Sequence, residues 1–396
     1  MRAVVCRDGR LSVRERPEPE PGEGQVLIAV ERCGICGSDL HALAHCDHWQ
    51  KLMVRTGYPH FMRSDQDVVF GHEFCGTVLD HGPGCRRKVK TGTRVVAVPV
   101  LKRGEAIDML GFSGRSAGAY AERMLVQESV MFPVPGGLPA DIAALTEPMA
   151  VALHAIRRSE IRKKDVAVVI GCGPVGLAVV SILKAIGVRT VVASNSSPVR
   201  RELARQCGAD ILVDPSQESP FARARQFGHL KGLGEAFGMA FEALDRLDRL
   251  PVPWWHAWRM AEKLGAAAPK RPVVFECVGL PGVIETIIEG APMFSRFVVV
   301  GVCMATDRVE PAMAINKEID LRFVFGYTPL EYRDALHLLA DGRVACAPMI
   351  TGSVGLDGVA AAFGLLAGSK SHAKILIDPQ AASGELRPLE RPPAGR

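Results

Sequence analysis

Two periodicities divide the chain. Up to about residue 135, short apolar runs such as "GQVLIAV", "FCGTVLD", "TRVVAVPV" and "AERMLVQ" are each cut by Gly or Pro, the pattern of strands in a β-rich domain. From Thr146 the pattern changes. "EPMAVALHAI" has helical spacing, "DVAVVIGCGPVGLAVVSILKAIG" reads as strand, turn and helix, "VRTVVAS" as a second strand, "PVRRELARQCG" as a helix and "ILVD" as a third strand. Such alternation implies parallel βαβ units. Buried strands follow at "PVVFECVG", "SRFVVVGV" and "DLRFVFGY", then the helix "PLEYRDALHLLADG" and a last strand, "AKILID". The stretch between Asp214 and Val273 exceeds a simple crossover and predicts an inserted pair of helices around the break "PVP".

A chain of 396 residues is long enough for two cores with a cleft between them. With 48% hydrophobic and 23% charged residues it has the composition of a soluble globular protein. The net charge of +5 comes from interspersed Lys, Arg, Asp and Glu, so no nucleic-acid partner is expected. No membrane partner is expected either, because the one long apolar run, Val166 to Leu183, is broken by Gly171, Gly173, Pro174 and Gly176. The opening "MRAVVCRDGRLSVRERPEPE" lacks the apolar core of a secretory signal, which points to a cytoplasmic protein. Its eleven cysteines then read as free thiols or metal ligands.

In "VVIGCGPVGLAVV", Gly171, Gly173 and Gly176 follow a predicted strand and open a predicted helix, with Pro174 and Val175 inside the turn. That context makes the spacing a dinucleotide fingerprint, with the pyrophosphate at the helix N-terminus. About twenty residues on, where an acidic residue would hold an NAD ribose, stands Asn195, followed by Ser196, Ser197, Arg200 and Arg201. Asn does not repel a 2′-phosphate and Arg can pair with one, so NADP(H) is favoured over NAD(H). Cys277, Val278, Val300, Val302 and Lys374 are expected to complete the cofactor's surroundings.

"ERCGICGSDLHALAHCDH" leaves three uses open for Cys33 and Cys36: a redox pair, half of a zinc knuckle, or a single working sulfur. A redox pair would call for a thioredoxin-like βαβ setting, and the surroundings read as a strand and a loop. His72 and Glu73 in "VVFGHEFCGTV" and Glu147 in "LTEPMAVALHA" are further candidate ligands. A catalytic zinc takes about three protein ligands and an open position, which Cys36, His72 and Glu147 would provide.

Taken in order, "CGICGSDLH", "GHEFCGTV", "AGAYAERMLV", "TEPMAVALHA", "GCGPVG", "VVFECVG" and "HAKILIDP" resemble the zinc-dependent medium-chain dehydrogenases, the alcohol, polyol and threonine dehydrogenase group. This resemblance implies an α/β protein in which a GroES-like β-barrel catalytic domain accompanies a Rossmann cofactor domain with a doubly wound parallel sheet. The expected boundaries are 1–151 and 322–378 for the catalytic domain, 152–321 for the Rossmann domain with its insertion at about 217–271, and 379–396 for a flexible tail. It further implies one catalytic zinc on Cys36, His72 and Glu147, with Glu73 as an alternate ligand, Asp39 orienting His72, and Ser38 and His41 relaying the alcohol proton by way of the ribose. Hydride would pass from a zinc-held alkoxide to C4 of the nicotinamide, or back to a carbonyl. A small-molecule alcohol or carbonyl substrate and a homo-oligomer, dimer or tetramer, complete the expectation. The alternatives are a zinc-free quinone or enoyl reductase of the same superfamily and a non-catalytic dinucleotide sensor.

Three departures stand out. Relatives with a structural zinc carry clustered cysteines where this chain has only Cys85, so no structural zinc is expected. The segment from Ala42 to Phe70 is long, contains His45, Cys46, Asp47, His48 and His60, and reads as a solvated loop. Trp254, Trp255 and Trp258 in the insertion suit a subunit contact, a lid, or the insertion's own core.

Overall fold

In the computed structural model, residues 1–265, 269–368 and 371–388 are described. Parallel strands with helical crossovers must pack as an open twisted sheet. The six-stranded sheet follows the order Ile211–Val213, Thr190–Ser194, Val166–Ile170, Val273–Glu276, Arg296–Val299, Asp320–Phe323, every pair parallel. The order reverses beside Val166–Ile170, which opens a crevice at the carboxyl ends of the strands.

The β-rich domain is assembled from both ends of the chain. Gln25–Gly34 pairs antiparallel with Glu73–His81 along one flank and, on the other, with Arg123–Gln127 at its start and Lys374–Ile377 at its end, where Leu376 faces Gly34 and Ile377 faces Cys33. The late strand therefore lies directly behind the "CGICG" segment. Helix Thr146–Ser159 joins the two parts, and its apolar face shares one core with Leu177, Val179 and Phe275 of the Rossmann domain and Cys75 and Val96 of the β domain.

Three expectations change. Residues 37–55 form a helix, not a loop. Ala42 and Cys46 are buried one turn apart, and Trp49 packs its ring on Phe61 and Phe112, so the segment has a proper inward stripe. The helix is kinked at His45 (φ −131°, ψ 25°), which splits its periodicity. The expected tail also starts later than residue 379. Ser353 and Arg387 exchange backbone hydrogen bonds at 2.9 Å and Leu386 joins the barrel core; residues 389–396 lie outside the described residues. Finally, the inserted helices Leu233–Leu247 and Trp254–Lys263 contain no buried residue, so the tryptophans do not form a core for the insertion.

Among the described residues, no helix is long and apolar enough to cross a membrane. The hairpin Val100–Arg103 and Ala106–Met109, in the lobe that has only Cys85, is anchored by buried Asp108. It accepts from Ser116 Oγ at 2.7 Å and pairs with Arg115 and Arg103.

Candidate active site

The end of strand Gln25–Gly34 delivers Cys36 to the N-terminus of the kinked helix, and the start of Glu73–His81 delivers His72 and Glu73. The thiol, imidazole and carboxylate donor atoms of Cys36, His72 and Glu73 all lie within 4.8 Å of one another. Sulfur, nitrogen and oxygen converging in a buried pocket is a donor set that suits zinc.

Each donor is held by a second group. Asp39 Oδ2 accepts from the Cys36 N–H at 2.9 Å and from Tyr120 Oη at 2.7 Å, while Asp39 Oδ1 faces His72 Nδ1 at 3.3 Å. That last contact is electrostatic, since neither atom makes an aligned hydrogen bond. Burial opposes charge on His72, yet Asp39 and then Cys36 outweigh it and hold the imidazole well above its ordinary value. The Phe112 ring lies 4.8 Å from that of His72 and covers it. Ser38 Oγ stands 3.1 Å from His72 Nε2. One turn further along, His41 is half-buried.

Cys33 sits apart from this cluster. It is wholly buried, points its thiol at the Gly34 carbonyl at 3.5 Å, and is pushed well up by burial. Its sulfur is thus not among the converging donor atoms of Cys36, His72 and Glu73.

Lys374, expected at the cofactor, is placed elsewhere. Its side chain has 0% exposure, and its ammonium donates to Glu73 Oε1 and Oε2 at 2.7 and 2.6 Å and to the Ile35 carbonyl at 2.9 Å. Glu147, on the first turn of Thr146–Ser159, stands near His72 and Glu73 but outside the converging set. Burial pushes its carboxyl up to about 7, against the pull of His72, and Tyr327 donates a hydrogen bond to it. Tyr120, Tyr327 and Lys374 are the supporting groups that local sequence did not reveal, because each reaches the site from a distant element.

The glycine turn meets the steric tests of a dinucleotide cradle. Gly171 has φ +95°, and a Cβ there would strike the Cys277 carbonyl carbon at 2.9 Å and Val278 Cγ2 at 2.8 Å. At Gly176 it would lie 1.8 Å from the Gly171 oxygen, whereas at Gly173 it would meet nothing within 4 Å. The second glycine thus faces open space at the N-terminus of helix Pro174–Ala185, where a pyrophosphate needs close backbone approach. Val175 lies in that first turn, and Val278 and Val302 are exposed past the neighbouring strand ends, with Val300 nearly buried between them. Asn195 Oδ1 accepts from the Ser197 N–H at 2.9 Å, fixing the loop that carries Ser196. Arg201 is taken up by the Asn195 and Ser196 carbonyls and by Asp214 at 3.0 Å. Arg200 reaches the His372 carbonyl at 3.1 Å, and its buried Nε has no partner among the described residues.

Comparison with known proteins agrees with this geometry. Residues 22–136 match the alcohol dehydrogenase GroES-like domain family, and residues 174–244 the zinc-binding dehydrogenase family. An (R,R)-butanediol dehydrogenase of Bacillus subtilis strain 168 is 30% identical over 384 residues, covering 94% of this chain and 97% of the relative. The crystal structure of 2R,3R-butanediol dehydrogenase from Bacillus subtilis superposes with a TM-score of 0.70 at 29% identity, covering 96% and 99% of the two chains. A zinc-binding dehydrogenase from Sinorhizobium meliloti 1021 bound to NADP superposes with a TM-score of 0.73 at 26% identity, again over 96% and 99%. Likeness running through both domains and nearly end to end makes the chain a member of the zinc-dependent medium-chain dehydrogenase superfamily, and an oxidoreductase that acts on alcohols.

Proposed function

We propose that the chain interconverts a small secondary alcohol or diol and the corresponding carbonyl compound, using one zinc ion and NADP(H). The convergence of Cys36 and His72, with the Glu147 carboxyl beside His72, carries this reading. It also argues against a zinc-free reductase, which has no use for such a donor set, and against a sensor, which needs no proton path. Zinc, when bound, would supply Lewis acidity toward the substrate oxygen, and the nicotinamide would accept hydride.

The protein's own groups do the rest. Cys36 and His72 would hold the ion, and Glu147 would supply the third donor, since both Glu73 oxygens already accept from Lys374. Asp39 turns His72 so that Nε2 faces inward. Ser38 accepts the substrate hydroxyl proton and passes its own toward His41 by way of the ribose.

Relatives named for butanediol make diols the first arm of a test panel. Diols, primary and secondary alcohols are crossed with NAD and NADP, with and without chelator, beside metal analysis. Chelator-sensitive turnover with about one zinc per chain is expected. Absence of alcohol-dependent nicotinamide reduction in every arm would refute the dehydrogenase reading.

Preference for NADP(H) is supported by Asn195 and by Arg200, which, unlike Arg201, has no carboxylate partner among the described residues. An aspartate at position 195 would repel a 2′-phosphate, so Asn195→Asp should shift the NADP/NAD ratio of kcat/KM about tenfold or more toward NAD. A wild type that already prefers NAD, or an unchanged ratio in the variant, counts against the assignment.

Zinc binding should depend on Glu147 through pH. A carboxyl raised from its ordinary 4.5 to about 7 keeps its proton while the unfolded chain loses one, so the metal-free fold loses stability as pH rises across that interval. Zinc needs the carboxylate, so its affinity should climb over the same interval with one proton more than in Glu147→Gln. Chelator competition at several pH values measures this, and identical slopes in the two proteins would remove Glu147 from the ligand set.

Homo-oligomerisation fits the exposed edge of the parallel sheet. Strand Asp320–Phe323 has no outer neighbour among the described residues, and Phe323 and Phe325 beside it are 65% and 80% exposed. Edges of this kind are normally covered. Sedimentation velocity distinguishes monomer, dimer and tetramer.

A further inference from the structure

The proton that Ser38 passes to His41 has to leave a half-buried imidazole, and the next step is written on the same helix. His41 and His45 are four residues apart on Gly37–Arg55, so they share a face, and their ring centroids are 6.4 Å apart. A small side-chain rotation or one bridging water joins rings at that separation. His45 is also where the helix breaks. Its non-helical backbone (φ −131°, ψ 25°) turns the chain outward beside a solvent-open cavity of about 280 Å³, lined by His45, Cys46, Asp47, His48, Cys6 and Ser64.

We propose that His45 is the outer proton carrier of this enzyme, taking the substrate proton from His41 and delivering it to water in the cavity at the helix kink. The inference rests on the alcohol-dehydrogenase reading above. In oxidation, hydride leaves with the nicotinamide, and the hydroxyl proton reaches His41 and makes it an imidazolium. Neutral His45 then takes one proton and returns His41 to neutral, and the imidazolium of His45 loses its proton to a water molecule or buffer base. Reduction runs the same chain inward.

The surroundings favour the outward step. Burial disfavours charge on His41 and the neighbouring His45 lowers its pKa further, which eases the proton's departure. The titratable groups facing the cavity are Cys6 from strand Arg2–Arg7, and Cys46, Asp47 and His48 from the helix. Asp8 and Asp65 lie just beyond, near the two thiols. Burial pushes Cys6 up to about 11 and Cys46 up to about 12, so neither thiol competes for the role at neutral pH. Both Asp47 oxygens accept from Ser64, its N–H at 3.1 Å and its hydroxyl at 2.8 Å.

The test compares wild type, His45→Ala and His48→Ala as full-length zinc-loaded enzymes, oxidising the best alcohol of the panel in weak buffer. Proton release is followed by stopped flow with an indicator dye, together with nicotinamide reduction. His45→Ala should release protons about tenfold or more slowly at unchanged zinc content, and added imidazole should restore the rate. His48→Ala should behave as wild type. Release as fast as wild type, or a slowing that imidazole does not relieve, overturns the proposal. A wild type that reduces no nicotinamide with any alcohol instead defeats the dehydrogenase reading, and does so before a variant is made.

Discussion

Cys36→Ser should strip the protein of zinc and lower kcat/KM for alcohol oxidation by about a thousandfold or more, while Cys33→Ser leaves zinc content and kcat/KM near wild type. The difference follows from where the two sulfurs stand. The Cys36 thiol lies within 4.8 Å of the His72 and Glu73 donors, and the bond from its backbone N–H to Asp39 fixes the start of the helix that presents it. Serine offers a hard, weakly acidic hydroxyl in place of a thiolate, a poor zinc ligand. Losing about 4 kcal/mol of Lewis-acid stabilisation corresponds to about a thousandfold in rate. Cys33 is wholly buried in the barrel core, with its thiol on the Gly34 carbonyl and the Glu73 backbone. Its replacement by serine should cost about 1–2 kcal/mol of stability from a poorly placed hydroxyl, visible in a urea midpoint. Metal analysis and steady-state kinetics on both variants decide the matter, and equal losses would mean that both sulfurs hold the ion.

Lys374→Met should destabilise the fold by about 3–5 kcal/mol, the range for removing one partner of a buried pair. Glu73 would lose the two hydrogen bonds that its oxygens accept from the ammonium, in a site packed so closely that a Cβ at Gly34 would lie 2.0 Å from Glu73 Oε2. Burial works against the Lys374 charge, but Glu73 outweighs it and holds the ammonium above its ordinary value. The sign is that of a raised cation, so the stabilisation is complete at neutral pH and fades only above the ordinary lysine range. The double variant Glu73→Gln with Lys374→Met removes both charges and should recover much of the loss. Urea denaturation of the two proteins measures the effect. A single variant as stable as wild type, or a double variant no better than the single, would contradict the pairing.

How far this site could be read in advance depended on how local each feature is. The glycine turn was legible because a tight turn, a close approach and a helix–strand contact each exclude a side chain within a few residues of one another. Cys36, Ser38 and Asp39 were legible for the same reason, since one helix N-terminus carries them all. Helix 37–55 was misread as a loop because its kink interrupts the apolar period and its histidines and aspartate dilute the stripe formed by Ala42, Cys46 and Trp49. Lys374 was misplaced because its partner lies 301 residues earlier in the chain, and only the pairing of the last strand with Gln25–Gly34 brings them together. Tyr120 and Tyr327 show the same limit. A buried phenol must find an acceptor, but the sequence around it does not say which carboxylate the packing will offer.

The strand Lys374–Ile377 also makes closure of the barrel a long-range event. Gln25–Gly34 carries Glu73–His81 on one flank and Arg123–Gln127 over the start of the other, and the pairing at Cys33 and Gly34 waits for a strand that follows the whole parallel sheet in sequence. All six strands of that sheet lie between the two partners and pair only among themselves. The pocket is therefore completed by a contact of high sequence separation, and Glu73 acquires its counter-charge only when the distant strand docks. A chain in which that docking fails would keep its nucleotide-binding half beside a barrel left open.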